Sequence, residues 1–249
     1  MSVTAIITAG GSGLRLGGDI PKQFRFMGGK PILARTLSAF EHSDIIKDII
    51  VTAPADYLPH TREIVDVYGF NKVRAVVPGG DNRAASIYAA LMELSSFFIG
   101  SEAGLHTVFK VPLHMPRNIV IIHDGVRPFV TDRLIRAVAE AARTRKAAIA
   151  GIPLTDTIKE VDDRGQVAST PDRKRFWRVQ TPQAFTYELI IKAYTQGEKA
   201  GILPQVTDDS MLVERLGVPV TMVHGDTGNI KITTAEDMAH GELLLQFKS

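Results

Sequence analysis

The sequence predicts an α/β protein: a mostly parallel, twisted sheet flanked by helices, with a projecting β-hairpin arm. Three observations carry this. Short β-branched runs alternate with segments of helical periodicity, the pattern of a parallel sheet covered on its faces. Glycine-rich or acidic turns follow several of the runs. One stretch, from Asp156 to Gln180, breaks the alternation with two extended segments and no helix between them.

Taken in order, Val3 to Ile7 is the first strand, and it ends in Ala9-Gly10-Gly11-Ser12-Gly13. A helix reads from Pro31, with Leu33, Leu37 and Phe40 on one face. Asp48 to Thr52 and Val73 to Val77 are the next strands. Asp81 or Asn82 can cap a helix whose buried stripe is Ile87, Leu91 and Leu94. Ile119 to Ile122 is a fully apolar strand leading into His123-Asp124-Gly125. Thr131 caps a helix bearing Leu134, Val138 and Ala141, and Ala147 to Ile152 is the strand after it. Thr157 to Val161 and Gln166 to Thr170 pair across the turn Asp162-Asp163-Arg164-Gly165 as the hairpin. Helices near Tyr187–Lys199 and Asp208–Leu216, a strand at Val218–Val223 and a last helix complete the chain. Thr233-Thr234-Ala235-Glu236 offers that last helix a capping box. Gly100 to Arg117 is a long mixed connection that no pattern assigns.

Composition bounds the function. The 249 residues suit a single domain, 1–249, with 156–180 as its arm, and 45% hydrophobic residues suffice for a sizeable core. A net charge of +2 is too small to argue for a nucleic-acid partner. No block of like charges marks a tail or membrane patch, and the run Val3–Ile7 is too short for a signal sequence or a membrane span. The absence of cysteine rules out disulfides and thiolate chemistry, so a cytoplasmic protein is the expectation.

Four motifs can carry chemistry. Three glycines within four residues after the first strand free backbone N–H groups to face an anion. A dinucleotide fingerprint from Gly11 fails at Leu16, and a P-loop from Gly13 fails at Asp19, where lysine is required. What stands is a phosphate loop followed by two cations, Arg15 and Lys22, able to flank a triphosphate. Asp124 lies at the carboxyl end of a strand, where α/β sheets bind ligands, and its carboxylate can hold Mg²⁺ together with waters and phosphate oxygens. Gly79-Gly80-Asp81-Asn82-Arg83-Ala84-Ala85-Ser86 joins a strand to a helix; its glycines admit a flat base and Ser86 supplies a hydroxyl. Lys231 sits between Ile230 and Ile232 on a short extended run. Each motif alone also fits a structural role: a tight turn, a helix cap, a solvated cation. His123 reads as packed or capping.

In combination and in this order, these stretches resemble the 2-C-methyl-D-erythritol 4-phosphate cytidylyltransferase family. The likeness runs on through Asp156-Thr157-Ile158-Lys159, Asp172-Arg173, Trp177 to Gln183, Thr207-Asp208-Asp209 and Asn229-Ile230-Lys231, so it covers nearly the whole chain. It implies a Rossmann-like nucleotidyltransferase fold and a reaction in which CTP and a polyol phosphate give a cytidine diphosphate polyol and pyrophosphate. The resemblance gives Arg15 and Lys22 the triphosphate, and the amides of Gly10, Gly11, Ser12 and Gly13 its oxygens. Asp124 takes Mg²⁺; Gly80, Asp81 and Ser86 read cytosine and ribose, with Ala9 and Gly10 closing the base pocket. Lys231 stands near the reacting phosphates. Thr157 and Arg173 reach into a neighbouring subunit's site to hold the sugar phosphate, completed by Arg127, Thr181 and Thr207. This implies a homodimer with exchanged arms.

Gly125-Val126 stands where that family often has Ala-Ala, Thr8 where it often has proline, and the connection Gly100–Arg117 is longer than usual. Ribitol 5-phosphate cytidylyltransferase shares most of these motifs; Val126 and Ile232-Thr233-Thr234 lean towards it, whereas Trp177 and the pattern ending at Arg173 lean towards the erythritol phosphate enzyme. A non-catalytic nucleotide-binding regulatory protein would be expected to lose Asp124, Lys22 or Lys231, and all three are present.

Overall fold

The computed structural model describes residues 3–10, 20–99 and 118–247, and in it most of the apolar runs become strands of one seven-stranded sheet. In chain order the elements begin with β1 (Val3–Thr8), a small hairpin of β2 (Phe26–Met27) and β3 (Lys30–Pro31), and α1 (Ile32–Glu41). Next come β4 (Ile46–Ala53), α2 (Leu58–Val67), β5 (Val73–Pro78) and α3 (Arg83–Ile99). After 100–117, which lie outside the described residues, the chain forms β6 (Ile119–Asp124), α4 (Asp132–Arg145) and β7 (Ala147–Pro153). The arm carries β8 (Glu160–Val161) and β9 (Val167–Ser169). Then follow β10 (Trp177–Thr186), α5 (Tyr187–Lys199), α6 (Ser210–Glu214), β11 (Thr221–His224) and α7 (Ala235–Gln246).

The sheet runs β11-β7-β10-β6-β1-β4-β5. β1 pairs parallel with β4 and β6, β4 with β5 and β7 with β11, and β10 runs antiparallel between β6 and β7. Burial on both faces explains why β1 and β6 are apolar throughout. Ile7 and Ile121 face α1, α2 and α4 in one core; Ile6 and Ile122 face α3, α5 and α6 in the other. Each of these isoleucines is fully buried, and each such side chain contributes about 2 kcal/mol. α7 packs separately, over Met27, Val126, Phe129 and Ile232.

Local chemistry decides the caps. Asn82, rather than Asp81, caps α3, its Oδ1 accepting from Ala85 N–H at 2.9 Å. Thr131 caps α4 as expected. The capping box of α7 lies one residue further on than its sequence signature: Thr234 is the cap and Asp237, not Glu236, answers it.

Three other expectations change. The arm's strands are only two and three residues long, because their side chains meet solvent on both faces and nothing propagates the pairing. The helix expected over Asp208–Leu216 is confined to Ser210–Glu214, and Asp208 Oδ1 accepts from Met211 N–H at 3.1 Å just before its start. Residues 218–220 are not in a strand, and β11 starts at Thr221. β10 has no counterpart in the sequence reading, because Gln180, Thr181, Pro182 and Gln183 interrupt its alternation, and its pairing with β7 shifts register between Val179 and Gln183. α2 was likewise unread.

Candidate functional site

β1 is flanked by β6 on one side and β4 on the other, so the chain crosses over it between β5 and β6. Such a reversal leaves a crevice at the carboxyl ends of the strands. There the structure has a cleft of about 520 Å³. Thr8, Ala9 and Gly10 line it from the end of β1, Gly80 to Arg83 from the turn into α3, and Asp124 and Val126 from the end of β6; Lys22, Gln23, Ser86 and Lys231 complete it.

Two glycine turns form its floor by touching. A Cβ on Gly79 would lie 3.2 Å from Gly10 Cα and 2.9 Å from Ser86 Oγ, so a side chain there would force the turns apart. The Ser86 hydroxyl is buried, accepts from Gly80 N–H at 3.1 Å and donates to Asn82 O at 2.9 Å. It therefore fixes the shape of the Gly80–Asn82 turn. Gln23, also on the cleft, donates from Nε2 to Ala9 O at 2.6 Å, which sets the short turn that carries Lys22.

At the centre is Asp124. Its side chain is 7% exposed and meets Arg83 Nε at 3.3 Å, Arg127 Nε at 3.2 Å and Lys231 Nζ at 3.0 Å. Its backbone N–H donates to Thr181 Oγ1 at 3.0 Å. Burial alone would raise the carboxyl's pKa, but Arg83, Lys231 and Arg127 outweigh it and hold the group far below the usual carboxylate range. Asp124 is thus an anion at every working pH.

Arg83 in turn forks onto Asp209, with Nη1 to Oδ1 at 3.0 Å and Nη2 to Oδ2 at 2.8 Å. Arg127 also donates to Asn229 O at 2.9 Å, and Asn229 is tied to the Thr181 carbonyl at 2.8 Å. Three cations thus face two carboxylates around Asp124. The net positive charge, with Lys22 on the same cleft, suits a polyanion. His123 is not among the described residues that line the cleft, and its Nε2 meets Arg127 O at 3.2 Å. It is fully buried against Phe40, and burial lowers its pKa to about 3, so it is neutral at working pH and no general base.

Mg²⁺ fits this donor set as a one-carboxylate site. Asp124 is ionised, its Oδ1 accepts one described bond, from Arg83, and so retains acceptor capacity. Among the described residues, no group of three or more His, Asp or Glu side chains is placed to hold a metal by itself. The remaining ligands would have to be water and phosphate oxygens, an arrangement that Mg²⁺ commonly adopts.

The structure brings together Ala9, Gly10, Lys22, Gly80, Asp81, Ser86, Asp124 and Lys231, all read from the sequence as site residues. Gly11, Ser12, Gly13 and Arg15 lie outside the described residues. Arg127 reaches Asp124 from the side. Thr181 is 4% exposed and supports Asp124 from behind, so its hydroxyl serves the strand end rather than the cleft wall. Thr157, Arg173 and Thr207 are exposed and are not among the described residues that line this cleft; Arg173 donates to Thr155 O at the base of its own arm. Sequence reading gave no role to Arg83, Asp209 or Tyr194. The first two stand inside quoted motifs, but the first looked like an ordinary residue beside a helix cap, and nothing in sequence joins positions 126 residues apart.

Comparison with known proteins settles the family. The 2-C-methyl-D-erythritol 4-phosphate cytidylyltransferase family profile matches residues 3–98 and 100–247. The chain belongs to that family. It is 42% identical over 249 residues to the 2-C-methyl-D-erythritol 4-phosphate cytidylyltransferase of Geobacter metallireducens, covering 100% of this chain and 99% of that one. The corresponding protein of Geotalea uraniireducens is 41% identical over 247 residues, 99% and 97% of the two chains. Among solved structures, the 4-diphosphocytidyl-2C-methyl-D-erythritol synthase of Anaerococcus prevotii superposes with a TM-score of 0.79 at 33% identity, over 98% of this chain and 96% of that one. The Thermus thermophilus cytidylyltransferase gives 0.74 at 30%, over 99% and 100%. Membership in the family favours a catalytic cytidylyltransferase over both rival readings. Among the described residues no helix is long and apolar enough to cross a membrane.

Proposed function

We propose that this chain transfers the cytidylyl group of CTP to 2-C-methyl-D-erythritol 4-phosphate, releasing pyrophosphate, as a step of isoprenoid biosynthesis in the cytoplasm. One observation supports this above the rest: a 520 Å³ cleft at the sheet's switch point in which Lys22, Arg83 and Lys231 converge with Asp124, in a chain of this family. In the reaction a phosphate oxygen of the polyol bonds to the α-phosphorus, and the bond from that phosphorus to the β-phosphate's bridging oxygen breaks. The polyol phosphate has a second pKa near 6, so it is mostly dianionic at neutral pH and needs no general base. A neutral, buried His123 and the absence of cysteine suit such a direct attack.

The chain's task is to bring two anions together and hold them in line. Gly10 and Gly80 let the backbone approach the nucleoside closely. Lys22 stabilises charge on the triphosphate, and Lys231 reaches the reacting phosphates from beside Asp124. Asp124 would hold Mg²⁺, which neutralises phosphate charge when bound. Turnover should vanish in excess chelator and return on adding Mg²⁺; full activity in chelator would exclude the metal.

We further infer that two copies exchange their 156–180 arms, so that Thr157 and Arg173 complete the neighbouring site beside Arg127 and Thr207, with Thr181 supporting Asp124 from behind. The arm's exposure is consistent with this: Val161 is 56% and Val167 60% exposed in the single chain. Arg173→Ala is expected to raise KM for the polyol phosphate at least tenfold (about 1.4 kcal/mol) while leaving that for CTP within about twofold. A loss confined to CTP would refute the assignment. The activity itself is tested by pyrophosphate release from CTP with methylerythritol phosphate and, in parallel, ribitol 5-phosphate. Release with the first and not the second is expected; release with neither overturns the reading.

A further inference from the structure

Arg83 is a cation of the cleft whose orientation is fixed from behind. Both terminal nitrogens are engaged by Asp209, at 3.0 and 2.8 Å, which leaves Nε at 3.3 Å from Asp124. Asp209 is fully buried and is fixed twice more. Its backbone N–H donates to Gln183 Oε1 at 3.1 Å, and its Oδ1 accepts from the Tyr194 hydroxyl. Tyr194 is itself fully buried on α5 and stacks on Tyr88 at 6.2 Å. Neither Asp209 nor Tyr194 is among the described residues that line the cleft. A planar guanidinium held by two parallel bonds cannot rotate without breaking both. The helix α5 therefore reaches the site through a hydroxyl, a carboxylate and a guanidinium in series.

We propose that Tyr194 and Asp209 are positioning residues for turnover: they hold Arg83 in the orientation that presents its Nε to Asp124, without touching substrate themselves. The burial of both groups is consistent with this role. Burial and the adjacent Asp209 push the Tyr194 phenol well above its ordinary pKa, so it remains a donor throughout the working range. The two carboxylates in turn outweigh the burial of Arg83 and keep it charged. An apolar filler of the same shape would pack equally well, so a hydroxyl at this depth points to orientation rather than to bulk.

The proposal rests on the cytidylyltransferase reading, and two measurements on the full chain separate the fates of the two. The first is pyrophosphate release per folded molecule, with KM for CTP. Asp209→Asn is expected to lower kcat by about 10²-fold with little change in KM, the scale of a displaced catalytic group. Tyr194→Phe, which keeps the volume, is expected to lower it about tenfold. Added to Asp209→Asn, Tyr194→Phe should have little further effect, because the hydroxyl acts only through that carboxylate. A purely structural role would instead lower the melting temperature and leave kcat per folded molecule unchanged. The second measurement is solvent exchange of the Arg83 Nε–H proton by NMR, assigned by its loss in Arg83→Lys. Exchange is expected to be slow in the wild type and at least tenfold faster in Tyr194→Phe, which decides the matter alone if Asp209→Asn does not fold. Unchanged exchange, or unchanged kcat per folded molecule, overturns the proposal. A wild-type chain that releases no pyrophosphate would reject the activity, while the exchange measurement would still judge the tether.

Discussion

Asp124→Asn is expected to lower turnover by about 10²- to 10³-fold and to destabilise the fold by about 3 kcal/mol at pH 7. Both effects have one cause. The carboxylate accepts from Arg83, Arg127 and Lys231, all between 3.0 and 3.3 Å, in a position 7% exposed to solvent. An asparagine of the same shape keeps one acceptor oxygen and turns an NH₂ group towards a cation. Three positive groups would then crowd together with, among the described ion pairs, only that of Asp209 to offset them, and each would move away from the position it holds in the cleft. The pH dependence follows from the direction of the carboxyl's shift. Its folded pKa is depressed below the unfolded value of about 4, so its contribution is complete above that value and disappears as pH falls towards the folded pKa. The stability gap between wild type and variant should therefore be flat from about pH 5 to about pH 8 and should narrow below about pH 4. Urea unfolding at several pH values measures it, beside steady-state pyrophosphate release. A variant with wild-type turnover would remove Asp124 from the chemistry.

The same cluster marks where sequence reasoning stops. The strands of the parallel core were legible because burial on both faces leaves continuous apolar runs, such as Ile119 to Ile122, that polar alternation cannot imitate. The cleft was largely legible too, because ligand sites gather where strands end in glycine or aspartate, and Gly10, Gly80 and Asp124 all stand at such ends. β10 was hidden by its own position. Lying between β6 and β7, it carries Gln180 and Gln183, whose side chains are spent on Asp226 and on the Asp208–Asp209 backbone and carboxylate; in one dimension they read as a loop. The Arg83–Asp209–Tyr194 series was hidden for the complementary reason. Pairings between distant positions have no period, and an arginine one residue after a cap looks like any first-turn residue. The cap itself, Asn82 against Asp81, could not be chosen from propensity, since both residues serve equally well. The structure separates them by giving Asn82 to Ala85 N–H and leaving Asp81 on the cleft.

Lys22→Ala should be the more selective lesion: about 10³-fold lower turnover with the melting temperature nearly unchanged. Lys22 is half-buried, and the turn that carries it is held by its neighbours. Gln23 is bonded to Ala9 O at 2.6 Å, and Phe24 is 2% exposed and stacked on Tyr57 at 4.9 Å, so truncating the lysine leaves its platform in place. The magnitude follows from the two anions that must meet. Each pair of unit charges about 4 Å apart interacts by about 1 kcal/mol in water and by about 4 kcal/mol at an effective dielectric near 20. Removing one cation from a cleft walled by protein therefore approaches the larger figure, and at about 1.4 kcal/mol per factor of ten this is close to three decades. How the loss divides is itself informative. A lysine that grips the triphosphate equally before and during the reaction would raise KM for CTP and spare kcat. A lysine that meets charge developing towards the departing pyrophosphate would lower kcat. The presence of Lys22 on the same cleft as Gly10 and Asp124 is compatible with either outcome, and single-turnover pyrophosphate release at saturating CTP distinguishes the two. Wild-type rates at saturation would confine Lys22 to binding and shift the burden of charge stabilisation to Lys231 and Arg83.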